Sequence, residues 1–265
     1  MRGHPRLSDD GVHQHSAEML DETDQGCPQL SGTVMPAPGV FAAEPTVHLG
    51  ARVEALRAIA RPGVELAMWR RAAHPTWLAW LDRLPPHSLP SCRMELAPRG
   101  AAGALHGSCD AAGTPSGPQR EAFVADMAAL VALFAATVQA DAVRLRLDVV
   151  TDNACRRWHR DCVPLRLICT YRGPGTQWVP SSQGDVVLAQ PDGEAPQARA
   201  MRAGDVAFFK GCGWPGQAHE GAIVHRSPRI AGTGMVRLVL VLDPPPTHGY
   251  RTPVEVFSQR VVLTG

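Results

Sequence analysis

The hydrophobic repeat of this chain changes once, near Asp141, and that change limits the folds open to it. Before it, apolar residues recur at helical spacing. Val53, Leu56 and Ile59 form one such set, and Trp77, Leu78, Trp80, Leu81 and Leu84 form a second that Pro85-Pro86 ends. Phe123, Met127, Leu130, Val131, Phe134 and Val138 mark one face of a helix of about five to six turns, with Ser116 and Gln119 spaced as a capping box at its start. Val64–Trp69 reads as a strand after the Pro62-Gly63 break, and residues 98–117, rich in Gly, Ala, Ser and Pro, read as a loop. After Asp141 the period is two. Leu145, Leu147 and Val149 alternate with Arg144, Arg146 and Asp148, and strand-like runs follow at 163–171, 185–189, 205–209, 221–225 and 236–242, separated by Gly/Pro turns. Helices followed by short strands predict an α+β chain whose C-terminal half is an antiparallel sandwich or barrel. Residues 1–45 carry no periodic pattern and predict a disordered tail, leaving 46–265 as a single domain. Within it, 46–141 is expected to be mostly helical support and 142–265 the β core.

Charge and cysteine usage remove several functions. The net charge is +1, with no basic run beyond Arg-Arg pairs, which argues against a protein that tracks nucleic-acid phosphates. The longest apolar run, Met127–Val138, has the length of a buried core helix rather than of a membrane crossing. The first thirty residues hold Asp9, Asp10, Asp21, Glu22 and Asp24 without an apolar stretch, so a secretory leader is not expected and a cytoplasmic location is. The seven cysteines are odd in number and irregularly spaced, which fits reduced thiols.

The chemistry concentrates at Trp158-His159-Arg160-Asp161. In an extended chain His159 and Asp161 lie two apart and share a face, so imidazole and carboxylate can converge on one ion; a helix would set them about 200° apart. On the same logic Val163, Leu165, Leu167, Cys169 and Tyr171 continue that face as an apolar lining, and Arg166 and Arg172 fall on the opposite one as surface or interface charges. A later strand supplies His225 as third ligand. Beyond the turn Ala231-Gly232-Thr233-Gly234, Arg237 stands among apolar residues, where an arginine is costly unless it meets an anion such as a carboxylate. Two histidines and one carboxylate with positions left open suit a non-haem Fe(II) centre.

The order His-x-Asp, distal His, then Arg on the next strand resembles the Fe(II)/2-oxoglutarate-dependent oxygenase superfamily. That resemblance implies a double-stranded β-helix, or jelly roll, of the cupin-like kind. It implies a metal site of His159, Asp161 and His225, dioxygenase chemistry on an unknown substrate, and Arg237 as anchor for the far carboxylate of 2-oxoglutarate, with Tyr171 as a second hydrogen-bonding group. A closer resemblance runs from about Val53. Trp158-His159-Arg160-Asp161, Leu165-Arg166-Leu167 and Cys169–Trp178 look like the bacterial domain of unknown function 1826 family. Genes of that family are reported beside zinc-homeostasis GTPases, so it implies an alternative: a non-catalytic jelly roll that binds Zn on the same three ligands, with zinc-homeostasis proteins as partners.

Other patterns are weaker. His-Arg-Asp also opens the protein-kinase catalytic loop, but position 166 is Arg where an Asn is needed, and the only lysine, Lys210, lies downstream. Cys155, Cys162 and Cys169 include no Cys-x-x-Cys pair. Gly173-Pro174-Gly175-Thr176 lacks the spacing of a phosphate loop and reads as a turn that sets Gln177 and Trp178 at a substrate mouth. Neither Gly-x-Ser-x-Gly nor His-Glu-x-x-His occurs. Arg229 is an alternative anchor and His219 an alternative ligand, both expected in solvated turns. Lys210 is expected as an exposed turn residue, and His4, His13 and His15 as part of the solvated tail.

Overall fold

The computed structural model describes residues 46–71, 76–216 and 222–246. The expected tail, with His4, His13 and His15, lies outside the described residues, as does His219. In chain order the elements are β1 (Val47–Gly50), β2 (Leu66–Trp69), α1 (Thr76–Arg83), β3 (Cys92–Leu96), α2 (Ala101–Ala111), α3 (Pro118–Val138), β4 (Val143–Val150), β5 (Leu165–Arg172), β6 (Gln177–Trp178), α4 (Ser181–Leu188), β7 (Arg199–Ala200), β8 (Val206–Lys210), β9 (His225–Arg226) and β10 (Arg237–Asp243). Val53–Ala60 is a 3-10 helix.

The described residues form two sheets, so the fold is mixed α+β. The larger runs β1-β2-β8-β5-β10-β4-β3 and the smaller β7-β6-β9. Every pairing is antiparallel except that of β1 with β2. His159 adds an isolated bridge to His225 at the free side of β9.

The large sheet is buried on both faces, which is why β5, β8 and β10 read as nearly continuous apolar runs. Leu165, Leu167, Cys169, Tyr171, Val206, Phe208, Leu238, Leu240 and Leu242 point to the helices. There they join Phe123, Met127, Val131 and Phe134 of α3 and Trp77, Leu78 and Leu81 of α1 in one core. The intervening residues Ile168, Ala207, Phe209, Val239 and Val241 point the other way, into a second core with Trp178, Met201 and Ile223.

Asp126 fastens the helix layer to the sheet. Its carboxylate accepts from Arg71 Nη1 at 2.6 Å and Nη2 at 3.2 Å, just beyond β2, and from the Tyr171 hydroxyl of β5 at 2.7 Å. The Arg71 side chain is 8% exposed and sits over Trp69, so this is a largely desolvated ion pair. α3 is by length and composition apolar enough to cross a membrane, yet half of that stretch is buried within the protein.

Several sequence expectations give way. Residues 98–117 are not a loop: α2 forms there because alanine has the best helix propensity, and Ala101, Leu105 and Cys109, four apart, seat it on the core. Residues 185–188 belong to α4, with Ala189 as its C-cap, rather than to a strand; a short run such as Val186-Val187-Leu188 has no periodicity to tell the two apart. The expected capping box is absent. The N-cap of α3 is Gly117 at φ 133°, with no side-chain cap, and Pro118 supplies the preset φ of the first turn. Of the described part of the run at 221–225, only His225 lies in a strand, the short β9.

Asp126→Ala removes the acceptor from a buried guanidinium and from a buried phenol together. It should cost about 3–5 kcal/mol, the range for breaking one side of a buried pair, read as a lower denaturant midpoint. Asp126→Asn, which keeps an acceptor for Tyr171, should cost less.

Candidate metal centre

The segment between β4 and β5 is held from both ends. Cys155 adopts a left-handed φ of 51° and turns the chain, its carbonyl accepting from the Ser227 amide at 2.9 Å. Trp158 is buried; its backbone N–H donates to Pro191 O and its indole N–H to Gly193 O at 3.1 Å, and the Arg226 guanidinium lies 4.4 Å over its ring. The next residue, His159, exchanges both backbone hydrogen bonds with His225, at 3.1 and 3.0 Å. Two positions on, the carbonyl of Asp161 accepts from the Cys212 amide at 2.8 Å. Gly211 makes this approach possible, because a Cβ there would collide with the Asp161 and Val163 carbonyls.

These constraints bring together the three ligands expected from sequence. One ligand atom from each of His159, Asp161 and His225 lies within 4.8 Å of the others. Asp161 Oδ2 is 3.3 Å from His225 Nε2, Oδ1 is 3.8 Å from His159 Nε2, and the two imidazole centroids are 4.5 Å apart. Two ligand atoms each about 2.1 Å from one ion stand about 3.0–3.4 Å apart for angles between octahedral and tetrahedral.

The hydrogen bonds orient the rings. His159 Nδ1 contacts Arg157 O at 2.9 Å and His225 Nδ1 contacts Ile223 O at 3.2 Å, each a carbonyl two residues upstream. A carbonyl only accepts, so the proton of a neutral ring is assigned to Nδ1 and the Nε2 lone pair faces Asp161. Burial lowers the His225 pKa to about 4, outweighing the pull of Asp161, so this ring is neutral at pH 7, as a ligand must be. Burial alone would raise the Asp161 pKa, but Arg166, then the two histidines and Arg146, bring it down to about 2. Asp161 Oδ2 is buried without a hydrogen-bond partner. Two lone pairs therefore face each other across 3.3 Å in a desolvated site, an arrangement that a bound cation resolves.

Arg237 is 1% exposed and stands on the inter-sheet face of β10. Its Nε donates to Pro174 O at 2.7 Å, Nη1 to Ser227 Oγ at 2.9 Å, and Nη2 to Thr176 Oγ1 at 3.3 Å and Thr170 Oγ1 at 3.5 Å. All four acceptors are neutral, and among the described residues no carboxylate pairs with it. Burial lowers its pKa to about 10, so it stays charged at neutral pH. The turn that supplies Pro174 and Thr176 packs against β10 through Gly173, at φ +77°, where a Cβ would strike Val236 O. The His225 ring lies 4.9 Å from Phe209 of the inter-sheet core, and Ser227, two residues on, accepts from Arg237, so the guanidinium and the triad share one interior.

The structure does not bring Tyr171 there. Its ring lies in the helix-side core, 5.0 Å from both Trp77 and Phe123, and its hydroxyl is spent on Asp126. The expected lining fails for the same reason: a turn at 162–164 separates Asp161 from β5, so the odd-numbered residues of β5 do not continue the face of His159. It is Arg166, Ile168 and Thr170 that look into the interior. Arg166, read from sequence as a surface charge, donates to Asp161 Oδ1 and forms a bidentate pair with Asp243, Nε to Oδ1 at 2.7 Å and Nη2 to Oδ2 at 2.9 Å. The reasoning that picked out Arg237, an arginine amid apolar residues, applies equally to Leu165-Arg166-Leu167. Trp178 is in the inter-sheet core, not at a mouth. Arg229 is half-exposed and pairs with Glu194 at 3.2 Å. Lys210 is no exposed turn residue: it is buried at the end of β8, donates to Arg61 O at 3.1 Å and lies 4.5 Å over the Trp214 ring, with burial lowering its pKa to about 8. A cleft beside α4, lined by Val179, Gln183, Val187, Glu194 and Gln197, includes no triad residue.

Solved structures to which the chain is similar include the rice dioxygenase for auxin oxidation (13% identity, TM-score 0.42, 80% of this chain and 87% of that one). Another is dioxygenase for auxin oxidation 1 of Arabidopsis thaliana as a 2-oxoglutarate binary complex (13%, TM-score 0.43, 79% and 96%). A third is a Pseudomonas putida prolyl-4-hydroxylase (12%, TM-score 0.28, 66% and 97%). No curated protein matches the chain. Residues 50–243 match the model of a protein family of unknown function, DUF1826, and this covers most of the chain and the whole of the His159–Asp161–His225 site: the protein belongs to the DUF1826 family.

Proposed function

We propose that the protein is an Fe(II)/2-oxoglutarate-dependent oxygenase. The observation that carries the reading is Arg237: a fully buried, charged guanidinium with only neutral acceptors, sharing an interior with the His159–Asp161–His225 set. Strand order supports it. β4, β10, β5 and β8 adjoin in one sheet, while His159, β9, β6 and β7 adjoin in the other, and the chain passes between the two in the order of a double-stranded β-helix.

In this reading His159, Asp161 and His225 would hold the iron, and Arg237 would hold the far carboxylate of 2-oxoglutarate. When bound, the pair would supply the activation of dioxygen, coupled to oxidative decarboxylation of the oxo acid. The chain's own part is to orient and to exclude water. The Arg157 and Ile223 carbonyls fix both imidazoles, and the hydroxyls of Ser227, Thr170 and Thr176 hold the guanidinium in place. Ile168, Val239 and Val241 wall the interior with apolar surface, which strengthens every electrostatic contact inside it. Arg237 has no carboxylate partner among the described residues, so its charge is available to the far carboxylate of the co-ligand. Zinc binding without turnover uses the same three ligands but gives Arg237 no task.

Wild-type protein titrated anaerobically with Fe(II) and 2-oxoglutarate should develop the weak visible charge-transfer band of the chelate, and His225→Ala should lack it while remaining folded. Stoichiometric zinc with no band would make this a zinc-handling protein instead. Arg237→Ala should raise the oxoglutarate concentration needed for the band by about 10- to 100-fold, as expected for losing a charge-assisted pair. An unchanged requirement would remove Arg237 from the anchor role.

A further inference from the structure

Asp161 uses its two carboxylate oxygens differently. Oδ1 accepts from Arg166, and Oδ2 is left bare toward His225. Arg166 in turn is gripped by both oxygens of Asp243, whose side chain is as deeply buried as that of Asp161, at 7% and 4% exposed. Arg146, partly exposed and 3.9 Å from Asp243, is the further charge on this group. The pairing follows from register: Leu242 opposes Leu167 across β10 and β5, so Asp243 and Arg166 are the next residues along and both face the interior.

We infer that Arg166 is an internal counter-cation of the metal centre: it occupies one oxygen of Asp161, leaving the other as a single-atom ligand, and it stands in for the metal's charge when the site is empty. This rests on the metal reading of the triad. Without Arg166, two buried carboxylates would share the site with no full counter-charge, and a divalent ion would become their principal partner. Arg166 therefore keeps the apo site formed and at the same time weakens its hold on the ion. Asp243 acts in the opposite sense, cancelling part of the Arg166 charge that the ion would feel. Metal affinity should then follow the net charge of Asp161, Arg166 and Asp243.

The test is calorimetric titration of Mn²⁺ and of Zn²⁺ into the intact apo protein, with thermal unfolding of the apo and loaded forms. Arg166→Gln should bind each ion about tenfold tighter, Asp243→Asn about tenfold weaker, and the double variant, which restores the net charge, within about threefold of wild type. The apo form of Arg166→Gln should melt lower than wild type and gain more on loading. Were Arg166→Gln unable to fold when empty, weakening in Asp243→Asn and its reversal in the double variant would still carry the test. An Arg166 that only props Asp161 in place predicts weaker binding in every variant, and that result, or no change in any, would overturn the inference while leaving the triad intact as a metal site. Absence of saturable binding in wild type, with His225→Ala indistinguishable from it, would overturn the metal reading itself.

Discussion

Two backbone hydrogen bonds between His159 and His225 hold the rest of the site together. Opposed residues in a hydrogen-bonded antiparallel pair have Cα atoms about 5.5 Å apart and side chains on one face. The pair therefore delivers two imidazoles to the same point from segments more than sixty residues apart in sequence. Asp161 then follows from the two-residue period of an extended chain, and Ser227, two beyond His225, brings the partner of Arg237 to the same interior. What keeps the bridge in place is apolar. Trp158 and Val224, the flanking residues, are buried against Val179 in a small core of their own, which seats the bridge beside β6.

The site was legible in sequence where chemistry and spacing coincide. His-x-Asp needs only local extension to make sense, and His225 and Arg237 are each out of place in apolar strands. The position of Arg166 is not legible in the same way, because parity carries across a segment only if no turn interrupts it, and the turn at 162–164 does. The same turn puts Tyr171 on the helix side rather than in the interior. A period of two amplifies one misplaced residue into the inversion of a whole strand.

The fold was legible in outline for similar reasons. The switch from helical to alternating spacing separates α1 and α3 from β4, β5, β8 and β10. Val64–Trp69 reads as a strand before the switch and forms β2, but β1 and β3 are concealed, and all three extend the large sheet at its two edges. Sheet membership is decided by long-range backbone pairing, which leaves no local mark. α2 was hidden by composition: an alanine- and glycine-rich segment looks like a loop until a neighbouring core gives its few apolar residues a face to cover, whereas the short apolar run in α4 has no periodicity to tell helix from strand.

β5 passes through the middle of the large sheet as two interleaved lists. Leu165, Leu167, Cys169 and Tyr171 face the helices and Asp126, while Arg166, Ile168 and Thr170 face the interior that holds Asp161 and Arg237. Neighbouring codons therefore answer to different demands, packing on one side and ligand chemistry on the other, within a single rigid ribbon. The interior face is free to diversify toward new ligands without disturbing the helix layer, provided every change skips a residue. An insertion or deletion of one residue in this strand exchanges the two lists, so the length of β5 is less free to vary than its composition.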